Sequence, residues 1–454
     1  MRFLSRELAR LGHDVTVLSG PPWPVLDEAE EIKLVKVPSL DLYREPDPFR
    51  VPKLSEFHSR VDALEFATVM MGGFPEPLTF SLRVRDLLSR RRGAFDIVHD
   101  NQSFGRGLVG LMDDGWPLIG TCHHPITVDR LVDLAHAPNR WRELSLRRWY
   151  GFVAMQNRVA RRVPRIITVS SSSRRDIVEQ MGVAPERLAV VPVGADHELF
   201  RPLPGVRRVP GRIMTTASAD VPMKGLAYLL EALAKLRTSL PEAHLLVVGE
   251  PRPDSAASQV MERLGLEDAV TFRPGVSDVE LVELYAQASV VAIPSLYEGF
   301  SLPAVEAMAC EVPLVASAGG ALPEVVGPDG RAALLVPPAD PGALAAALGR
   351  VLSSGASWDG SSWGSWDGSP DDLGARLGRA GRRRVLEHFT WARCAAGVVE
   401  QYRAVIEQHP RPGPVETVGR RHGPTSAQRV PSARSYRAQN VPAASLRADG
   451  RFSC

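Results

Sequence analysis

Residues 288–309, ASVVAIPSLYEGFSLPAVEAMA, place two apolar runs of different period on either side of a turn. The first run, Ala288 to Ile293, has the length and continuity of a buried strand. The second, Ala304 to Ala309, has helical spacing around Glu306. Pro294 and Gly299 punctuate the segment between them. The stretch therefore predicts strand, turn and helix, with Glu298 in the turn, Glu306 on the helix and Ser301 as N-cap ahead of Pro303. Backbone N–H groups at such a helix start suit an anion or a hydroxyl-rich ligand. Carboxylates accept two hydroxyl bonds at once. The combination suits a sugar nucleotide, although two glutamates at this spacing also occur by chance on solvated surface turns.

The rest of the chain repeats the alternation. Residues 3–11 have helical periodicity and end at Gly12. Strands are predicted at Asp14–Leu18, Ile32–Val37, Asp96–Val98, Leu118–Cys122, Ile166–Ser170 and Val190–Val193. This alternation with helices predicts an α/β fold on a parallel sheet. A chain of 454 residues exceeds one hydrophobic core. The first domain is placed at residues 1–200. The Pro- and Gly-rich stretch 201–211 reads as a linker. The second domain is placed at 212–408, with a low-complexity insertion at 353–373 read as a flexible loop, although its Trp358, Trp363 and Trp366 also fit a carbohydrate-binding stripe. Residues 409–454 form a basic tail predicted to be disordered.

Net charge is +2, so composition implies no polyanionic partner and no nucleic acid. Charge is nevertheless uneven, because residues 410–454 carry eight arginines against two acids. Residues 140–165 carry eight arginines and one acid. Drawn as one helix, they put Arg140, Arg147, Arg158, Arg161, Arg162 and Arg165 on one face, opposite Trp141, Trp149, Phe152 and Val159. Such a face fits either a solvated surface over aromatic packing or contact with an anionic membrane. Cys122, Cys310, Cys394 and Cys454 show neither disulfide nor metal spacing, which points to the cytoplasm. No apolar run reaches the length of a membrane span.

Further motifs accompany the 288–309 stretch. Lys224 lies in Pro222-Met-Lys-Gly225, after a strand and ahead of a helix. Val247-Val-Gly249 ends a strand, and Asp278 precedes a Leu-Tyr-Ala helix. Gly319-Gly-Ala-Leu-Pro-Glu324 and Val336-Pro-Pro338 follow. In this order they resemble the donor-binding domain of the family-4 retaining glycosyltransferases. That family has the GT-B fold, two Rossmann-like domains facing a cleft. The resemblance implies transfer of a sugar from a nucleotide donor to an acceptor hydroxyl with retention, the acceptor being a glycan, a lipid or a small molecule. It implies that Glu306 holds the ribose hydroxyls and Glu298 the sugar hydroxyls, with help from the amides of Gly299, Phe300, Ser301 and Leu302. Lys224 would stabilise the leaving diphosphate, and no metal or other cofactor would be required. Thr121-Cys-His123 matches the family's Thr-x-His, which implies that His123 borders the cleft and contacts the transferred sugar. Asp129 and Arg130 would face the acceptor. Ser170 to Ser173 would cap a helix, and Gly194 and Asp196 would shape the interdomain hinge. Glu324 would approach the diphosphate or base, or would act as a helix-start acid.

Two departures stand out. Ala219 replaces an Arg five residues before Lys224, with Asp220 beside it. The family's opening strand and Gly-rich turn have no counterpart, which implies a start upstream of Met1. These departures leave two further classes open: a non-catalytic sugar-nucleotide binder, or another GT-B enzyme such as a phosphorylase or sugar-nucleotide epimerase. The expected location is cytoplasmic, with peripheral contact at the inner membrane face.

Overall fold

Every strand pairing in the computed structural model is parallel. The structure describes residues 2–26, 32–44, 47, 49–135, 137, 139–216, 221–250, 255–354 and 372–409. Ala219 and Asp220, residues 355–371 of the expected insertion and the tail after His409 lie outside the described residues.

In the amino-terminal half, β1 (Thr16–Ser19) pairs with β2 (Lys33–Lys36). A second sheet runs in the order β3 (Val98–Asn101), β4 (Leu118–Cys122), β5 (Arg165–Thr168) and β6 (Leu188–Val190). The carboxy-terminal half holds β7 (Arg212–Thr216), β8 (His244–Val248), β9 (Val270–Arg273), β10 (Val290–Ile293), β11 (Leu314–Ser317) and β12 (Leu334–Val336), in the order β12-β11-β10-β7-β8-β9. Several strands are displaced by two residues from their predicted starts. β5 stops at Thr168 because Ser170 already caps the following helix, its hydroxyl accepting from Ser173 N at 3.0 Å.

The apolar run at 288–293 is explained by burial on both faces. Val291 and Ile293 join one core cluster with Met214, Leu314 and Ala316. Val290 and Ala292 join another with Ile213, Leu245 and Val315. Alternate residues of a strand point to opposite faces, so a doubly covered strand must be apolar throughout. The sheet order also locates a ligand crevice. From β7 the chain first builds outward through β8 and β9, then crosses back to lay β10 on the other side. At such a switch point the loops leaving the carboxyl ends of β7 and β10 diverge and open a crevice. Lys224 follows β7 and Glu298 follows β10.

The terminal helix Trp391–Gln408 crosses back to the first half. Its Ala395, Val398 and Val399 pack with Leu4 and Leu8 of the first helix, Ile119 of β4 and Ile167 of β5. Tyr402 O–H meets His99 Nδ1 at 2.7 Å. Asp196 lies at this crossing, where Arg6 Nη1 donates to its Oδ2 at 3.0 Å and Ala195 N donates to Phe389 O at 2.9 Å.

The single helix drawn through residues 140–165 does not form. Arg140–Trp149 and Val153–Ala160 are separate helices joined by a 3-10 turn at Tyr150–Phe152, and Arg165 opens β5. The cause is aromatic packing: Trp149 and Phe152 both close on Phe74, with ring centroids 5.1 and 5.4 Å away. Two of the supposed face arginines are paired locally, Arg147 with Glu143 and Arg162 with Asp113. Among the described residues no helix is long and apolar enough to cross a membrane.

Candidate active site

Lys224 and Glu298 meet at the switch point. Lys224 Nζ lies 2.9 Å from Glu298 Oε1 and 3.2 Å from Oε2. Ser295 Oγ donates to the same Oε1 at 2.7 Å. Glu298 is only 5% exposed, so it is not a solvated surface acid. A buried carboxylate is tolerated when ion-paired and hydrogen-bonded, and this one is both. The two loops are also joined through backbone, Leu296 N donating to Met223 O at 2.8 Å. Behind Glu298, its carbonyl accepts from Ala321 N at 2.8 Å. Gly320 makes that approach feasible. Its φ is +60°, and a Cβ there would lie 2.3 Å from the Glu298 carbonyl oxygen.

Glu306 sits half-buried on the helix Leu302–Ala309. Tyr285, fully buried in the neighbouring helix Asp278–Gln287, donates its hydroxyl to Glu306 Oε2 at 3.3 Å. Burial pushes that phenol well above its ordinary range, so it serves here as a donor. Phe300 does not offer its ring to a ligand. It is buried and meets Phe389 edge-on at 5.5 Å, anchoring the loop in the core. Leu302 likewise packs against that core.

Ser301 occupies the N-cap position but makes no cap hydrogen bond. Its φ of +84° places it in the left-handed region, whereas a capping side chain requires extended backbone. Its Oγ is buried without a partner. Strained, non-glycine backbone of this kind tends to gather at functional sites. Among the described residues, no acceptor meets the N–H groups of Gly299, Phe300 or Ser301. The loop thus presents unpaired amides and an unpaired hydroxyl beside a Lys–Glu pair.

The facing wall comes from β3 and β4. His123 follows β4, and its Nε2 lies 3.1 Å from Asn101 Oδ1. With that oxygen as assigned, Nε2 carries the proton and Nδ1 is left as an acceptor. Burial lowers the His123 pKa to about 4, so the ring is neutral near pH 7. Gln102 secures both histidines: its Oε1 accepts from His123 N at 2.7 Å and its Nε2 donates to His124 O at 3.0 Å. His124 is further occupied by Asp129, at 2.9 Å, so Asp129 serves its neighbour. Asn101 and Gln102 escaped the sequence analysis. Their one signal is the polar run Asp100-Asn-Gln-Ser103 closing a strand.

The two walls touch at Gly299, where a Cβ would lie 3.2 Å from His123 O and 3.3 Å from His124 Cβ. Ser170 and Ser173 donate their hydroxyls to Gly299 O, at 2.7 and 3.2 Å. Glu324 is the helix-start acid that the sequence offered as one alternative, and it has a further role. It lies in the first turn of the helix Leu322–Val326, yet its carboxylate accepts from Ser171 N and Ser172 N of the other half, at 2.8 and 2.7 Å. Tyr297 O–H donates to Asp176 of the same serine helix.

Comparison with known proteins agrees with this geometry. Residues 1–199 match the family described as Glycosyltransferase Family 4, and residues 210–354 match Glycosyl transferases group 1. An MMP alpha-(1->4)-mannosyltransferase of Mycolicibacterium hassiacum is 52% identical over 89% of this chain and 94% of its own length. A D-inositol 3-phosphate glycosyltransferase of Kineococcus radiotolerans is 31% identical over 69% of this chain and 72% of its own. Among solved structures, sucrose-phosphate synthase from Thermosynechococcus elongatus superposes with a TM-score of 0.63 at 22% identity, covering 90% of this chain and 92% of that one. Anabaena HepE in complex with UDP and glucose gives 0.60 at 17% identity, covering 89% and 95%. These likenesses establish the GT-B fold. Matched along both halves, the chain belongs to the family-4 retaining glycosyltransferases.

Proposed function

We propose that this glycosyltransferase moves a mannosyl residue from a nucleotide-activated mannose to a saccharide hydroxyl, forming an α-(1→4) linkage. The sugar and linkage are those named for the relative from Mycolicibacterium hassiacum at 52% identity. The observation that carries the donor reading is the Lys224–Glu298–Ser295 cluster beside the unpaired amides of Gly299, Phe300 and Ser301.

Each group has work suited to its chemistry. Two hydrogens of the Lys224 ammonium face Glu298, which leaves the third for a phosphate oxygen. Glu298 accepts from sugar hydroxyls through Oε2, and Glu306 accepts from the ribose. Charge accumulates on the diphosphate as the glycosidic bond breaks. Lys224, together with the amides of Gly299 to Leu302, stabilises that charge without reorganising. Retention follows if the acceptor hydroxyl attacks the face the diphosphate leaves, with a phosphate oxygen taking the proton. Neutral His123 exchanges hydrogen bonds with the transferred sugar. Donor and acceptor suffice, and no metal takes part.

The test is a panel of mannose and glucose donors on guanosine and uridine diphosphate, offered with oligomannoside acceptors and with EDTA present. An α-(1→4) mannoside, identified by NMR, is expected. An inverted anomer, a need for free phosphate, or loss of turnover in EDTA would each overturn a stated part of the proposal.

A second reading concerns the acceptor's location, a lipid-linked acceptor at the cytoplasmic face of an anionic membrane. It is favoured by Trp141, 82% exposed between the exposed Arg140 and Arg142 in the chain. An aromatic residue and arginines side by side suit a lipid interface. Co-sedimentation with anionic vesicles should fall as salt rises, and should weaken in Trp141→Ser. Absence of co-sedimentation at low salt would leave a soluble acceptor.

A further inference from the structure

Five hydrogen bonds join residues 170–176 of the first half to Tyr297, Gly299 and Glu324 of the second. Two of them meet at one peptide group. Two serine hydroxyls grip the Gly299 carbonyl, and the next N–H along the chain, that of Phe300, has no acceptor among the described residues. A trans peptide is planar and points its N–H opposite to its C=O. Holding the carbonyl toward the serine helix therefore turns the Phe300 N–H away from that helix, back toward its own half. Glu324 holds the serine helix from below through two adjacent backbone amides, and Tyr297 ties it to the loop through Asp176. Left-handed Ser301 immediately follows, so the loop conformation is not one its own sequence favours. It requires an outside constraint, and the serine helix supplies it.

We propose that Ser173 and Glu324 are positioning residues, forming an interdomain clasp that orients the donor-binding amides of the 299–301 loop. Donor affinity then depends on contact between the two halves. The inference rests on the donor reading of this loop.

The experiment compares wild type with Ser173→Ala, Glu324→Gln, Tyr297→Phe and the Ser173→Ala/Glu324→Gln pair. Ser170 is left intact because its hydroxyl also caps the helix. Three quantities are measured on the full chain: hydrogen exchange of peptides covering 294–302 without ligand, dissociation constants for GDP and UDP, and the melting temperature. Exchange in the loop should accelerate in each variant. The dissociation constant should rise by about tenfold per variant, the equivalent of one lost hydrogen bond. The pair should cost less than the product of its singles, because both act on one clasp. A lower melting temperature with loop exchange and nucleotide affinity unchanged would make the contacts merely structural and overturn the inference. If wild type binds neither nucleotide, the donor reading falls and the inference with it. If wild type binds and the variants bind equally well, the inference alone falls.

Discussion

The two walls of the cleft are held in place by opposite means. On the second-half wall a charge is fixed by a charge, with Lys224 against the buried Glu298. On the first-half wall a neutral imidazole is fixed by neutral amides, Asn101 on its ring and Gln102 on its backbone. Charged groups in a dry site act strongly on developing charge and leave a large deficit when one is removed. Neutral amides fix direction, and each is worth about one hydrogen bond. Under the proposed donor reading, the wall assigned to the leaving diphosphate should therefore be the fragile one, and the facing wall should tune rate by orientation.

The sharpest break would come from Lys224→Ala. It removes the cation from the diphosphate and strands Glu298, so turnover should fall by about 10²–10³-fold, as for other preorganised electrostatic donors. Stability should fall too, by about 3 kcal/mol, since one partner of a largely buried pair is lost. Single-turnover kinetics and chemical denaturation check both. A change confined to the Michaelis constant would contradict the assignment.

Glu306→Gln should weaken donor binding by about 1.5–3 kcal/mol, the range for a charge-assisted hydrogen bond. Turnover at saturating donor should hold. Isothermal calorimetry with donor decides this, and an unchanged dissociation constant would remove the ribose role.

On the neutral wall, Gln102→Ala frees His123 N–H and His124 C=O at once. Turnover should drop by about tenfold and stability by about 1–2 kcal/mol, while donor affinity stays level. A loss of donor affinity equal to that of Glu306→Gln would erase the distinction between the walls.

Acid should loosen the neutral wall first. His123 and His99 are both lowered to about 4, mainly by burial. In the unfolded chain each titrates near its ordinary value of about 6.5. Between these values the unfolded state binds more protons, so stability rises with pH there. The contribution is complete above about pH 6.5 and is lost as pH falls toward about 4. From pH 6.5 to 5.5 the loss should be at most about 1 kcal/mol per histidine. Denaturation midpoints measured across that window, with His123→Asn for comparison, test it. A flat profile would mean that these rings are not held neutral.

Glu298 and Lys224 could be placed at the crevice from sequence because each lies in the turn that follows a strand alternating with helices, whereas Glu306 lies further on, in the helix Leu302–Ala309. In such a sheet the loops at strand ends face the crevice whatever their detailed conformation. The pairing of Lys224 with Glu298 was not identifiable, since it joins two loops from strands adjacent in space but separated by two others in the chain. Gln102 was missed for a similar reason: its amide acts on the backbone of another strand's end, and nothing in its neighbours marks that.

Ser301 and the 140–165 segment failed in the other direction. Both carried a clear local signal that packing overruled. The cap expected at Ser301 was replaced by left-handed backbone in a loop anchored by Phe300 and gripped at Gly299. The long basic helix was interrupted because Trp149 and Phe152 both had to reach Phe74.

Sequence alone determined the α/β alternation, and its ordered motifs carried the resemblance to the family. The alternation follows from periodicity, which any chain with this pattern must express in a doubly covered parallel sheet. Tertiary structure alone decided where Glu324 points. The glutamate sits at the start of its own helix, where a local interaction would suffice, yet it reaches two amides across the cleft. Side-chain direction across a domain boundary depends on how the two halves pack, and that information is distributed over both cores rather than carried by any motif.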